Sequence, residues 1–365
     1  MTVGKNKGLA RLMRPGLLAM KPYQPIVAPG SLAGDGVGPG GERIKLDGNE
    51  NVYGCSPRVQ EALRNYREYH VYPDPEQREL RQALAGYAGV SPDQVLAGAG
   101  SDEIIDLLLR LTLNPGESVI DCPPTFGMYR FGADVCGGKT MTVRRTETFD
   151  VDIDAVLRAA TRKTKVIFIA SPNNPTGGLT PRRDLLRLLE TGALVVADEA
   201  YYEFCGETLV GEAASHENLV VLRTFSKWAG LAGLRLGYGI MAPELVQQLI
   251  KIKPPYNVNA AAEVAAKESL KDVAYLQGTV AALVRERDRL YQALRGVSWL
   301  VPYPSRANFI LCRVEGRDAK QVQLGLRRKG IYIRHFATEL LQNYIRISAG
   351  KPEHTDAVIA ALQGL

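Results

Sequence analysis

The chain has 365 residues, of which 45% are hydrophobic, and a net charge of +6. This length allows one large and one smaller domain with substantial cores, and it excludes a small scaffold held together by disulfides. Basic residues stand beside acidic ones, as in the segment RERDR at residues 285–289. Such alternation is typical of a solvated helix face, so the charge does not indicate a nucleic-acid partner.

Cysteine usage and hydropathy indicate the compartment. The five cysteines are scattered, without the spacing typical of a zinc site or a redox pair, which favours a reducing environment. No apolar run approaches the ~20 residues that a membrane-spanning helix needs, and no signal peptide is apparent. We therefore predict a cytoplasmic protein without a membrane partner.

In the N-terminal segment, positive charge accumulates without acidic residues. Within residues 1–22 the basic residues are Lys5, Lys7, Arg11, Arg14 and Lys21. This pattern fits a flexible N-terminal arm, which we favour, or a short organelle-targeting peptide. A glycine-rich stretch at residues 29–41 predicts an exposed loop. We assign residues 1–44 to the arm and this loop.

From about residue 75, helical patterns alternate with short apolar runs. The runs that we predict as strands are Ser118–Asp121, Lys165–Ala170, Ala193–Asp198, Leu219–Thr224 and Leu236–Met241. This alternation predicts an α/β fold with a mostly parallel sheet flanked by helices. We place this large domain at residues 45–256.

The pattern changes near Lys253-Pro254-Pro255, and a helical stretch begins near Asn259. Farther along, we predict strands at about 308–314 and 344–348 and helices at about 318–329 and 353–363. Residues 257–365 therefore form a predicted smaller α+β domain, packed with the N-terminal segment.

Chemically useful side chains follow three of the predicted strands. Asn174 lies just beyond the strand ending at residue 170, Asp198 ends the next strand, and Lys227 follows the third. Ligands of open α/β sheets bind beyond the carboxyl ends of the strands, so these three side chains are expected in one crevice.

That combination suits a pyridoxal cofactor, which needs an amine, an anion for its ring nitrogen and donors around its other oxygens. Lys227 alone would be interpreted as a surface lysine, but a glycine-rich segment at residues 230–235 follows it and allows close backbone approach. Asp198 could instead cap a helix. Tyr201, three residues later, could donate to the ring oxygen, which a cap does not explain.

A phosphate site can also be inferred. The glycine-rich segment at residues 98–103 precedes a helical pattern at 104–113, so free amides and a helix N-terminus would face an anion. Arg235 supplies a full charge and a fork of donors, and Thr224 and Ser226 supply hydroxyls.

Several segments together resemble the histidinol-phosphate aminotransferases, within the fold-type-I pyridoxal-phosphate enzymes, from about Lys21 to the C-terminus. The superfamily-wide segments are Asn-Pro-Thr-Gly at 174–177, Asp-Glu-Ala-Tyr at 198–201 and Ser-Lys at 226–227. The narrower motifs are KPY at 21–23, LDGNE at 46–50, YPD at 72–74, CPPTFGMY at 122–129, PPYN at 254–257 and YIRIS at 344–348.

The resemblance implies pyridoxal 5′-phosphate as the cofactor and gives individual residues their roles. Lys227 is expected to bind the cofactor covalently, Asp198 to pair with the ring nitrogen, Asn174 and Tyr201 to contact the ring oxygen, and Phe126 to stack on the ring. The phosphate is expected to be held by Ser101, Asp102, Thr224, Ser226 and Arg235. Tyr72 is expected to reach that phosphate from a neighbouring subunit, which implies a homodimer.

For the substrate, the resemblance places Arg346 at the carboxylate of glutamate and at the phosphate of histidinol phosphate. We assign Arg334 to the phosphate as a second cation, with Tyr23 and Asn49 as neutral donors. The implied reaction transfers an amino group from histidinol phosphate to 2-oxoglutarate, in histidine biosynthesis, with Lys227, Asp198 and Tyr201 as the catalytic residues.

Three alternatives stay open at this point. A threonine-phosphate decarboxylase or an aromatic-amino-acid aminotransferase would use the same cofactor on another substrate. A pyridoxal-binding regulator without turnover is a third, although no helix-turn-helix precedes the cofactor domain.

Overall fold

The computed structural model describes residues 7–23, 25 and 43–365. The predicted glycine-rich loop at 29–41, Lys5 and the side chain of Lys7 lie outside the described residues. In the described part of the chain, the strands of the larger sheet are β2 (Val95–Gly98), β3 (Ser118–Asp121), β4 (Lys139–Thr142), β5 (Thr164–Ala170), β6 (Leu194–Asp198), β7 (Leu219–Thr224) and β8 (Gly237–Ile240). The smaller sheet contains β1 (Ile44–Leu46), β9 (Leu300–Pro302), β10 (Phe309–Val314), β11 (Ile331–His335) and β12 (Tyr344–Ser348).

The larger sheet has the strand order β2-β8-β7-β6-β5-β3-β4. Neighbouring strands from β4 to β7 pair in parallel, and β8 is antiparallel to both of its neighbours. The predicted α/β class with a mostly parallel sheet is confirmed. All five strands predicted for this domain are present within a residue of their limits.

Helices cover both faces of this sheet, and others pack against the smaller sheet. They are α1 (Lys7–Ala10), α2 (Pro15–Leu18), α3 (Pro57–Asn65), α4 (Arg78–Ala88), α5 (Ser101–Thr112), α6 (Met128–Cys136), α7 (Ile153–Ala159), α8 (Arg182–Leu188), α9 (Val210–Ala213), α10 (Pro243–Ile252), α11 (Ala260–Leu270), α12 (Val273–Arg295), α13 (Ala319–Arg328) and α14 (Pro352–Gln363). None of these described helices combines the length and apolar character that a bilayer crossing requires.

The apolar core follows the two-residue repeat of the strands. On β5, Val166 and Phe168 pack with α5 and α10 on one face, while Ile167 and Ile169 pack with α3, α4, α8 and α11 on the other. Because both faces are covered, β5 is a continuous apolar run from Val166 to Ala170 and does not alternate with polar residues there.

The smaller sheet has the order β1-β11-β12-β10-β9, with β1 parallel to β11 and the other pairs antiparallel. Its core includes Ile44, Leu46, Ile310, Ile345 and residues of α12, α13 and α14. Residues 44–46 thus join a sheet formed from the last third of the chain, whereas α11 packs on α3 and α4. The domain limits at residues 44 and 256 remain a prediction.

One feature of the sequence interpretation changes. The charged segment at residues 285–289 lies on α12, but Arg287 is buried and donates to the carbonyl oxygen of Ala307 at 3.2 Å, so the segment is not uniformly solvated. All five cysteines are unpaired thiols, in agreement with the absence of a disulfide pattern in the sequence.

Candidate active site

A cavity of about 380 Å³ lies beyond the carboxyl ends of β5, β6 and β7, next to the first turn of α5. The side chains predicted to bind a cofactor meet there because these three strands are parallel neighbours and end at the same edge. Those that line the cavity are Ser101, Asp102, Phe126, Asn174, Asp198, Tyr201, Thr224, Ser226, Lys227 and Arg235.

Lys227 stands in the turn after β7, and its side chain is largely shielded from water. Its Nζ donates to the carbonyl oxygen of Gly48 at 3.0 Å. Desolvation in the pocket, followed by the nearby positive charge of Arg346, lowers the pKa of Lys227 to about 8. Roughly a tenth of this amine is therefore uncharged at pH 7, far more than for an ordinary lysine, and is available as a nucleophile or base.

Asp198 is a buried carboxylate at the end of β6, with 5% of its surface exposed. Its Oδ2 accepts from the hydroxyl of Tyr129 at 2.6 Å, and its Oδ1 accepts from the amide of Ala200 at 3.1 Å. Burial raises the pKa of Asp198 to about 6, and both hydrogen bonds act against that rise. The carboxyl is thus largely ionised at neutral pH and suited to receive a cation.

Tyr201 lies three residues beyond Asp198 on the same strand-end segment. Its hydroxyl accepts from Nδ2 of Asn49 at 2.8 Å, and Asn49 in turn accepts from Oγ of Ser348 at 2.9 Å. Burial raises the pKa of Tyr201 to about 12, so its phenol stays protonated and can donate to a ligand.

The start of α5 forms the anion-binding side of the pocket. Gly100 precedes the helix without any side-chain cap, which leaves the first amides of the helix available to a ligand. The guanidinium of Arg235 packs over Gly100, where a Cβ would lie 2.7 Å from Nη2, and pairs with Asp102 at 2.9 Å. Gly237 is also required, because a Cβ there would lie 2.2 Å from the amide nitrogen of Ser101.

Two hydroxyls complete this side. Thr224 donates to Oγ of Ser226 at 3.0 Å, and the amide of Ser226 donates to Oγ1 of Thr224 at 3.1 Å. These bonds fix the turn between β7 and Lys227, so the hydroxyl pair and the lysine have a set spacing.

Arg346 enters the site from β12 of the smaller sheet. Its Nη1 donates to Oδ1 of Asn174, and its Nη2 donates to the carbonyl oxygen of Asp47 at 2.6 Å. Its Nε is buried and has no hydrogen-bond partner among the residues that the structure describes. Burial lowers the pKa of Arg346 to about 10, and Arg334 adds to that effect.

The remaining predicted residues lie at or beyond the rim of the pocket. Phe126 contacts Tyr129 edge to face, with ring centroids 5.6 Å apart, and Tyr23 is half-exposed beside Gly127. Arg334 donates to the carbonyl oxygen of Pro25 at 3.0 Å. Tyr72 does not line the described pocket of its own chain; it is 76% exposed and stacks on Tyr256 at 4.4 Å.

Sequence reasoning missed several lining residues, including Gly48, Glu50 and Tyr129. All three stand inside motifs that the resemblance highlighted, LDGNE and CPPTFGMY, and no role was attached to them. Tyr129 lies 69 residues before Asp198 in the chain, and only the packing of α6 on the sheet brings the two together.

A family model described as Aminotransferase class I and II matches residues 42–362. The chain belongs to this aminotransferase family. It is 51% identical to a histidinol-phosphate aminotransferase of Dehalococcoides mccartyi over 87% of this chain and 89% of that protein. It is 48% identical to a chloroplastic histidinol-phosphate aminotransferase of Nicotiana plumbaginifolia over 96% of this chain and 86% of that one.

Solved structures agree with the predicted fold type. A histidinol-phosphate aminotransferase from Sinorhizobium meliloti, in complex with pyridoxal-5′-phosphate, superposes with a TM-score of 0.87 at 28% identity over 96% of both chains. The fold-type-I prediction is therefore confirmed, as is the membership in the aminotransferases.

The pocket of this aminotransferase fits pyridoxal phosphate as its cofactor. It offers a largely shielded amine at Lys227, a buried ionised carboxylate at Asp198 for a cationic ring nitrogen, and an uncapped helix N-terminus beside Arg235 for a phosphate. Without a cation, the burial of Asp198 would carry an uncompensated cost. The predicted cofactor class is confirmed by the family and by this neighbour.

Proposed function

We propose that this chain is a histidinol-phosphate aminotransferase, which transfers an amino group from histidinol phosphate to 2-oxoglutarate in histidine biosynthesis. The relatives from Dehalococcoides mccartyi and Nicotiana plumbaginifolia bear this name at 51% and 48% identity. Within the structure, the proposal depends above all on a pair of arginines, Arg346 and Arg334, that face each other across β11 and β12.

Residues opposite each other in an antiparallel pair project from the same face, so two positive charges there repel each other. Arg346 also buries its Nε without a partner among the described residues, a costly arrangement for a charged donor. An anionic substrate group resolves both problems. A carboxylate pairs with one arginine, whereas a phosphate with a charge near −2 gains from both.

The residues around the cofactor divide the remaining work. Bound pyridoxal phosphate supplies an electrophilic carbonyl and an electron sink. Asp198 holds the proton on the ring nitrogen, while Tyr201 and Asn174 orient the ring oxygen. Lys227 would hold the cofactor until the amine substrate displaces it. The freed Nζ would then take a proton from the substrate carbon and deliver it to the carbon that was the cofactor's carbonyl, a role that its pKa of about 8 supports.

The phosphate of the cofactor is assigned to the first turn of α5 and to the hydroxyls beside Lys227. In this proposal Ser101, Asp102, Thr224, Ser226 and Arg235 hold it. Phe126 packs on the face of the ring, and its edge contact with Tyr129 fixes its orientation.

Steady-state assays with 2-oxoglutarate as acceptor test the reaction. We expect histidinol phosphate to have the highest kcat/KM among histidinol phosphate, phenylalanine and threonine phosphate. A preference for phenylalanine would indicate an aromatic aminotransferase, and release of carbon dioxide from threonine phosphate would indicate a decarboxylase. Binding of cofactor without turnover of any amine would support a regulator.

The arginine pair gives a sharper prediction. Arg334→Ala should lower kcat/KM for histidinol phosphate about 10- to 100-fold more than for glutamate, since a charged hydrogen bond contributes ~1.5–3 kcal/mol. Arg346→Lys should impair both substrates, because lysine cannot reproduce the fork of arginine. Parallel steady-state kinetics with the two substrates measure these losses.

The matched control is Arg313→Ala, which removes an exposed arginine on β10 whose partner is Glu315. That variant should keep the parent's kinetics with both substrates. Equal losses for histidinol phosphate and glutamate in Arg334→Ala would contradict the role of Arg334 at a phosphate.

We also propose a homodimer, with Tyr23 and Asn49 as neutral donors to the substrate and Tyr72 serving the partner's pocket. Tyr72 has an exposed ring and does not line the described pocket of its own chain, and both observations support an intermolecular role. The cytoplasmic location predicted from the cysteines stays a prediction. Relatives from plants are chloroplastic, and the basic N-terminal segment leaves organelle targeting open.

A further inference from the structure

Tyr129 is a buried tyrosine whose hydroxyl forms a hydrogen bond with the carboxylate of Asp198. Its side chain is fully inaccessible, and the hydroxyl donates to Oδ2 of Asp198 at 2.6 Å. This distance is typical of a hydroxyl that donates to an ionised acceptor. Burial of a hydroxyl without a partner is costly, so the carboxylate and the phenol satisfy each other.

The ring of Tyr129 is held on two sides. It stacks on Phe168 with a centroid distance of 4.6 Å and an interplanar angle of 4°, and it meets Phe126 edge to face at 5.6 Å. Phe168 lies in the middle of β5, which is buried on both faces. This packing therefore fixes the position of the hydroxyl next to Asp198. The same ring contacts Phe126, which is assigned to the face of the cofactor.

Asp198 needs this partner because of where it lies. One oxygen accepts from Tyr129 and the other from the amide of Ala200, so the carboxylate keeps its orientation before any ligand binds. Burial favours the protonated acid, and a protonated Asp198 could not stabilise a cationic ring nitrogen. The two hydrogen bonds oppose the effect of burial.

We propose that Tyr129 is a positioning residue that keeps Asp198 ionised and aimed at the ring nitrogen of the cofactor. This inference rests on the proposed role of Asp198. Tyr129 itself contacts the carboxylate and the ring of Phe126, and it acts on the cofactor through them.

Other charged groups face this pair from the surrounding elements. Asp102 on α5 and Lys227 after β7 act on Asp198 with opposite signs, while Asp121 on β3 and Arg145 after β4 do so on Tyr129. Removal of any of these four groups would change the net charge around the pair. Removal of the hydroxyl of Tyr129 does not, so a single substitution can test its effect.

Tyr129→Phe is the direct test, since it removes the hydroxyl and keeps the ring stacking. We expect the Kd of the apoenzyme for pyridoxal phosphate to rise about tenfold at pH 7.5, from the loss of a charged hydrogen bond. The loss of cofactor affinity on acidification should begin at a higher pH than in the parent, by about one unit. Titration of the cofactor's own phosphate is common to both proteins and cancels.

Tyr87→Phe is the matched control. It removes a hydroxyl that donates to Glu203 at 3.3 Å, also a carboxyl, outside the pocket. This variant should match the parent in cofactor affinity and pH dependence. Thermal unfolding of each apoenzyme reports whether a variant is folded, and a folded Tyr129→Phe protein with unchanged Kd and acid midpoint would overturn the proposal.

Asp198→Asn and the double variant separate this proposal from the role of Asp198. If Asp198 pairs with the ring nitrogen, Asp198→Asn loses most of its rate, and Tyr129→Phe has little further effect on the cofactor's Kd in that background. Equal effects of Tyr129→Phe in both backgrounds would reject positioning through Asp198. An Asp198→Asn enzyme with near-parent rate and Kd would refute the role of Asp198 itself.

Discussion

At the scale of single residues, the environment of Lys227 departs furthest from that of an ordinary surface lysine. Its amine is desolvated, donates to the carbonyl oxygen of Gly48, and has its pKa lowered to about 8. In the unfolded chain the ordinary value is 10.5. At this residue the folded protein therefore binds fewer protons than the unfolded chain between these two values, so the contribution of Lys227 to stability rises with pH across that interval.

Lys227→Met tests both the chemical and the thermodynamic consequence. Transamination should fall by at least about 10²–10⁴-fold, the usual contribution of general acid–base catalysis, and the visible absorbance of covalently bound cofactor should disappear. Urea unfolding of the two apoproteins isolates the contribution of Lys227, because the other titrating groups are common to both and cancel. The free energy of unfolding of the parent minus that of the variant should rise from pH 8 to pH 10.5.

Lys267→Ala serves as the control, because Lys267 forms surface ion pairs with Glu79 and Glu263. It should keep the absorbance and the activity. Retained turnover and absorbance in Lys227→Met would mean that another amine binds the cofactor.

Local sequence identified the residues that follow strands, and it failed for those that reach the site from elsewhere. Asn174, Asp198 and Lys227 could be predicted because parallel strands end together. The bond between Asn49 and Tyr201 joins residues 152 positions apart, and that between Tyr129 and Asp198 joins residues 69 apart. No periodicity encodes such contacts, since they depend on how helices and the smaller sheet pack.

At the scale of elements, a buried ion pair links β6 and β7, the strands that deliver Asp198 and Lys227. Arg223 of β7 bonds to Glu199 just after β6 at 2.9 Å, and both side chains are 3% exposed. Glu199 also accepts from Thr208 and from the amide of Leu209. The pair thus anchors the two strand ends whose spacing defines the cofactor pocket.

Arg223→Ala should lower the free energy of unfolding by about 3–5 kcal/mol, because it leaves the carboxylate of Glu199 buried without its cation. Chemical denaturation monitored by circular dichroism measures this loss. Arg187→Ala removes a partner of the exposed pair with Asp154 and should cost at most about 1 kcal/mol. Comparable losses of unfolding free energy in the two variants would show that the buried pair stabilises the fold no more than the exposed pair does.

Secondary structure was predictable wherever a strand is long and apolar. β7 is buried along its whole length and β5 at every position except Lys165, and both gave clear apolar runs. β4 was missed because it is a mostly exposed edge strand of sequence KTMT, and β2 because it has four residues and ends in glycine. β1 could not be assigned, since within the described part of the chain it pairs with β11 alone, almost 290 residues later.

At the scale of the molecule, the site combines side chains from both sheets. Arg346 of the smaller sheet donates to Asn174, which follows β5 of the larger sheet, and Asn308 donates to the carbonyl oxygen of Asn49. Substrate recognition and cofactor chemistry therefore share a junction between the two sheets. Within the described part of one chain, Tyr72 is the predicted cofactor residue that this junction does not include.

Tyr72 and Tyr256 stack on each other as an exposed apolar patch, and Tyr69 and Val71, close by in the chain, are also exposed. Such a patch marks an interaction surface, and the proposed homodimer would cover it. In that dimer the hydroxyl of Tyr72 donates to the cofactor phosphate of the partner subunit. Tyr72→Phe should therefore raise the Kd for pyridoxal phosphate about tenfold, as expected for a bond to a charged group, without dissociating the dimer.

Mixed dimers distinguish a contact between subunits from one within a subunit. Tyr72→Phe and Lys227→Met chains are unfolded together and refolded; in a mixed dimer, the Lys227 of the first chain receives Tyr72 from the second. The affinity of that site for pyridoxal phosphate should return to the parent value. The control is Tyr275→Phe, at another exposed tyrosine, which should not alter the affinity. Sedimentation velocity reports the assembly. Failure of the mixed dimer to recover affinity, or a fully active monomer at high dilution, would rule out sharing of the site between subunits.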